Sequence, residues 1–183
     1  MSGVRRVIVG TNGSPGSLPA LRYAGRLAQR EDVLLVAVHA WIPPGGDLAE
    51  RRYPSLEMRR LWAEAARERL DEAIDAAWAG IPAGLDVQPV VVRGEAGPVL
   101  VDVASAEEDL LVVGAGRRSR LVRIRRGRVS RYCLARARCP VMAVPPAALA
   151  PRKGLHAWRF RHRELTVEQA MAESVGAELG RDR

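Results

Sequence analysis

The chain has 183 residues, with 29 Lys and Arg against 21 Asp and Glu, a formal charge of +8 and a hydrophobic content of 48%. That length favours a single core, and that apolar content excludes a wholly disordered chain. Two cysteines exclude a disulfide scaffold, and no run reaches the roughly 18 apolar residues of a membrane span. The first residues lead into a short strand rather than a signal-peptide core, so a soluble, reduced, cytoplasmic protein is expected.

The charge is local. Residues 1–116 carry 12 basic and 16 acidic side chains, whereas residues 117–138 carry ten Arg and no acid. Residues 151–183 carry 7 basic and 5 acidic side chains. All the basic residues are Arg except Lys153, a bias that also fits a GC-rich genome.

In chain order, residues 4–9 predict a strand that stops at the turn formers of 10–16. Ser17 is placed to cap a helix over 18–30, whose apolar positions Leu18, Leu21, Ala24 and Ala28 recur at helical spacing. Residues 33–40 form a continuous, β-branched apolar run, which predicts a strand buried on both faces. The prolines and glycines of 41–54 predict a loop.

A long helix follows over 55–79, with an apolar stripe through Leu56, Leu61, Ala65, Leu70, Ile74, Ala77 and Trp78. Gly80 and Pro82 end it. A third strand is predicted at 85–92, and a short helix at 99–107 with Pro98 as its first residue. A fourth strand at 110–113, a helix at 129–137 and a fifth strand at 141–144 complete the domain. This alternation predicts a doubly wound α/β sheet of five parallel strands with right-handed crossovers. Ligands of such sheets bind beyond the carboxyl ends of the strands. The Gly-bearing loops after the first and fourth strands are therefore the place to look.

These residues resemble the universal stress protein family. The opening VIVGTNGSPGSLPALRYA, the strand end Val38-His39-Ala40-Trp41, and the run from Leu111-Val112-Val113-Gly114 through Gly127, Val129-Ser130-Arg131-Tyr132 and Cys139-Pro140-Val141 carry the resemblance over residues 3–145. It implies a Rossmann-like, adenine nucleotide alpha hydrolase-like sheet. It also implies a homodimer through the last strand, Val141, Met142, Ala143 and Val144. Some members bind ATP through G-x2-G-x9-G-(S/T), which maps nucleotide contacts onto Gly10, Thr11, Asn12, Val38, Gly114, Gly116, Arg117, Gly127, Arg128, Val129 and Ser130.

The motif is degenerate. Gly114 and Gly127 match, but Arg117 stands at the second Gly with Gly116 one position early, Arg128 replaces the hydroxyl, and Asn12 replaces Asp. A left-handed conformation costs Arg117 roughly 1–2 kcal/mol that glycine does not lose. Loss or weakening of ATP binding is the expectation, and no cofactor is expected. One alternative is an anion site rebuilt from guanidinium groups, since these clamp phosphate well. Another is polyanion or acidic-partner binding through residues 117–138. No helix-turn-helix, zinc-finger or RNA-binding aromatic pattern accompanies the arginines, which weighs against nucleic acid.

Ser14 and Ser130 lack a His–Asp partnership, and no P-loop pattern occurs, so no enzyme is expected. Cys133 and Cys139 read as small buried hydrophobes, His39 as a packing residue, and His156 and His162 as tail residues without convergent ligands. The domain is expected over 1–146, with a C-terminal extension over 147–183. There Thr166 and Gln169 match a capping box, ahead of Val167, Met171, Val175 and Leu179 at helical spacing. Docking of this segment on its own domain or a dimer mate is expected, with a regulatory tail as the alternative.

Overall fold

The first strand, β1 (Arg6–Gly10), is central because its middle residues have nowhere polar to go: Val7, Ile8 and Val9 are all fully buried. A computed structural model describes residues 3–14, 16–52, 54–115 and 128–145. On one side β1 pairs in parallel with β2 (Leu34–Trp41), in the register Val7 to Leu35 and Val9 to Ala37. On the other it pairs in parallel with β4 (Asp109–Gly114), in the register Arg6 to Asp109 and Val7 to Leu110. β3 (Val87–Arg93) lies outside β2 and β5 (Val141–Val144) outside β4, both parallel. The sheet order is β3-β2-β1-β4-β5.

Side chains alternate across such a sheet and each face needs cover. Val7, Val9, Leu35, Ala37, Leu110 and Val112 pack under α1 (Leu18–Glu31) and α3 (Leu56–Trp78). Ile8, Val36, Val38, Leu111 and Val113 pack with Val99 and Leu100 of α4 (Ala96–Val103), Cys133 of α5 (Arg128–Arg136), and Cys139. The five strands, their parallel pairing and the helices α1, α3, α4 and α5 match the sequence expectation. The extension expected over 147–183, with its helix, lies outside the described residues.

Several local expectations are corrected. The segment 41–54 is not all loop: it holds a short helix, α2 (Gly46–Arg52), entered through Gly45 and Gly46 at φ of 81° and 77°. Its anchor is Glu50, a long-range feature described below. Leu56 and Leu61 do not join the apolar stripe of α3; they are 72% and 49% exposed. The buried face begins at Ala66 and runs through Leu70, Ala73 and Ile74.

Ser17 stands at the N-cap of α1 but its side chain does not cap. Pro19, the second helical residue, has no N–H to give it. Pro98 is the third residue of α4, not the first; a missing N–H is tolerated throughout a first turn, whose donors have no helical partner. That helix also ends early, at Val103, where Asp109 closes a tight turn by accepting from the Ala106 amide at 3.0 Å.

Candidate functional site

The sheet order reverses between β1 and β4. The chain leaves β1 for α1 on one face and leaves β4 for α5 on the other. The crevice opened by that divergence is where doubly wound sheets hold ligands.

The loop after β1 is tightly bonded to itself and to β2. The Thr11 amide donates to the Val38 carbonyl at 2.9 Å, extending the ladder one residue past the strand. The buried Thr11 hydroxyl meets the Ser17 hydroxyl at 3.1 Å and accepts from the Gly13 amide at 3.3 Å. Ser17 in turn donates its hydroxyl to the Ser14 carbonyl at 2.9 Å. His39, 6% exposed, donates from Nδ1 to the Thr11 carbonyl at 2.9 Å; a carbonyl acceptor requires the hydrogen on that nitrogen. His39 therefore does more than pack, since it ties the end of β2 to this loop. Asn12 is exposed, and its carboxamide oxygen accepts from the Ser14 amide at 3.2 Å, an Asx turn.

The loop after β4 approaches closely. A Cβ at Gly114 would lie 3.2 Å from the Gly16 carbonyl oxygen, so glycine favours the close approach of the two loops there. Ala115 then donates to the Val144 carbonyl at 2.7 Å. Gly10 is needed for a different contact: a Cβ there would meet a Leu100 methyl at 2.6 Å.

Of the residues expected to meet a nucleotide, the fold brings Gly10, Thr11, Asn12 and Gly114 to the crevice. Val38 belongs to the core, 1% exposed, and reaches the loop only through its carbonyl. Arg128 and Val129 are exposed on the first turn of α5, where Ser130 is buried. Gly116, Arg117 and Gly127 lie outside the described residues.

Two charge clusters, each built on a buried carboxylate, stand at opposite ends of the sheet, and neither was visible in the motif reading. At the amino end of the sheet, Arg6 grips Asp109 through two bonds of 2.8 and 2.7 Å. Asp109 is 1% exposed, and its hydrogen bond to Arg6 is the main reason the guanidinium pKa is raised. At the carboxyl end, Glu50 of α2 is 5% exposed and accepts from Arg59 of α3 at 2.5 Å and from both terminal nitrogens of Arg93. A carboxylate buried without such partners is costly, so the two arginines are what let Glu50 of α2 be buried.

Cys133 and Cys139 are buried free thiols. Burial pushes the Cys133 thiol up to about 11, and raises that of Cys139 as well. Both therefore stay protonated at neutral pH. No described helix is long and apolar enough to cross a membrane.

Comparison with known proteins agrees with this architecture. Residues 3–145 match the Universal stress protein family. Universal stress protein Rv2005c of Mycobacterium tuberculosis is 35% identical over 136 residues, which is 74% of this chain and 44% of the relative. Universal stress protein Rv1996 of the same organism is 32% identical over 137 residues, 74% of this chain and 42% of the relative. The chain thus spans less than half the length of these relatives. Among solved structures, a universal stress protein in complex with cAMP is 26% identical, covers 80% of this chain and 100% of its own, and superposes with a TM-score of 0.51. Universal stress protein UspA from Lactobacillus plantarum, 19% identical, shares the fold over 79% of this chain and 99% of its own, with a TM-score of 0.57. An uninterrupted family match over nearly all of the described fold, with its order of strands and its glycines at the crevice, makes this chain a member of the universal stress protein family.

Proposed function

We propose that this chain is a non-enzymatic binding or regulatory member of its family in which ATP binding is lost or weakened. The observation that carries this reading is the self-satisfied loop after β1. Thr11, Ser17 and the Nδ1 of His39 spend their polar groups on one another and on backbone, and the Asn12 oxygen is turned to Ser14. A nucleoside entering the crevice gains few uncommitted partners there. Asn12 also lacks the charge with which an Asp would hold ribose hydroxyls. A dimer through the edge strand β5 belongs to the same reading.

A second reading has its own support. Arg128 begins α5, a helix with no acid in its first turn. Guanidinium and helix dipole there add positive potential where an anion is welcome. On this reading the chain senses a nucleotide through a modified loop, as the cAMP complex of the related protein invites.

Calorimetric titration with ATP and with cAMP, together with mass spectrometry of nucleotide carried through purification, separates the two. Stoichiometric ATP in the purified protein overturns the first reading. The double change Asn12→Asp with Arg128→Ser is expected to raise ATP affinity at least about tenfold, about 1.4 kcal/mol.

A further inference from the structure

A cavity lies beyond the carboxyl ends of β2 and β3. Its volume is about 320 Å³, and Ile42, Gly46, Arg51, Arg93, Gly94 and Glu95 line it. That is the low end of the roughly 300–1,000 Å³ typical of small-molecule clefts.

Its walls carry both signs of charge. Arg93 is set in place by buried Glu50. Arg51, on α2, and Glu95, ahead of α4, face the same space, yet among the described residues neither side chain forms an ion pair or hydrogen bond. Glu95 occupies the N-cap of α4 without using its side chain to cap, so its carboxylate is not committed to the helix. Ile42 adds an apolar wall, 51% exposed.

A cation and an anion that face one space without pairing suit a molecule that bears both charges itself. We propose that this pocket binds a small zwitterion, an α-amino acid with an apolar side chain. Its carboxylate meets Arg51 beside Arg93, its ammonium meets Glu95, and its side chain lies on Ile42. Charge-assisted hydrogen bonds at both ends supply the selectivity, because a ligand with only one charge leaves the opposite wall unpaired. The glycines at 46 and 94, at φ of 77° and 146°, let the backbone turn away at the two corners of the pocket. The proposal does not rest on nucleotide binding.

The test is a titration of the full chain with L-leucine, followed by amide chemical shifts, against 4-methylpentanoate and 3-methylbutylamine. These analogues lack the amine and the carboxylate respectively. Saturable shifts at Gly46, Gly94 and Glu95 are expected, with about tenfold weaker binding of either analogue. Arg51→Gln and Glu95→Gln are each expected to weaken leucine about tenfold while leaving the rest of the spectrum unchanged. Both side chains are exposed, so the fold survives these changes. No shift at these amides with millimolar leucine overturns the proposal, as does equal binding of either analogue. Titration with ATP in parallel reads the crevice through Asn12 and Gly13, so failure at one site is distinguishable from failure at the other.

Discussion

The two ends of the same central strand pair are built on opposite principles. At the amino end of β1 and β4, Arg6 and Asp109 face each other across the ladder and lock it with two charged hydrogen bonds. At the carboxyl end the contacts are between backbones, made close by Gly114 and closed over by the Thr11, Ser17 and His39 network. The first end fixes register. The second keeps a narrow crevice whose polar groups are neutral and spent on one another. Charge pairing and close backbone approach are thus placed at opposite poles of one pair of strands.

The strongest way to break this comparison is at the amino end. Asp109→Ala leaves the Arg6 guanidinium and the Ala106 amide without their acceptor. Breaking a buried pair by removing one partner costs about 3–5 kcal/mol; the part-exposed Arg6 puts the expectation near about 3. Thermal melting should fall by about 6–12 °C. A loss under about 1 kcal/mol would remove the lock from the account.

The two glycines sharpen the contrast next. Gly10→Ala drives a Cβ into Leu100, and the overpacked core should lose about 1–2 kcal/mol in chemical denaturation. Gly114→Ala presses instead on the Gly16 carbonyl, an exposed-side loop that can give way. It should cost less than about 1 kcal/mol, yet shift the amide resonances of residues 13–17. The reverse order of the two stabilities would contradict the division of roles.

Smaller still is Thr11→Val, which removes one partner of the Ser17 hydroxyl and the acceptor of the Gly13 amide. About 1 kcal/mol is expected, read by denaturant midpoint. Last comes an effect absent at neutral pH. The Cys133 thiol, raised from 9.0 to about 11, keeps its proton in the fold while the unfolded chain sheds it. Stability contributed by the buried thiol is therefore complete below about pH 9 and lost as pH rises toward about 11. Alkylation should be slow for the folded protein at pH 7 and fast once it is unfolded.

The positions of the strands were legible because each is a short apolar run bounded by glycine, proline or charge. β5 was bounded to the residue, and the long helix by its periodicity. The crevice loops were legible through their glycines. What escaped was α2, since seven residues that begin on Gly46 and follow Gly45 carry no helical period to detect. The role of His39 escaped too, because its partner, the Thr11 carbonyl, is backbone and leaves no mark in the sequence.

By itself the sequence determined the alternation of strand and helix, the two-faced burial of the strands and the family. Those properties follow from local composition and from spacing along one chain. Only the tertiary structure decided that the order reverses between β1 and β4 and that Glu50 lies buried between Arg59 and Arg93. It alone set Arg51 and Glu95 across a cavity without letting them pair. These are relations between residues as much as 103 positions apart, as with Arg6 and Asp109, and only packing brings such residues within reach of one another's charge.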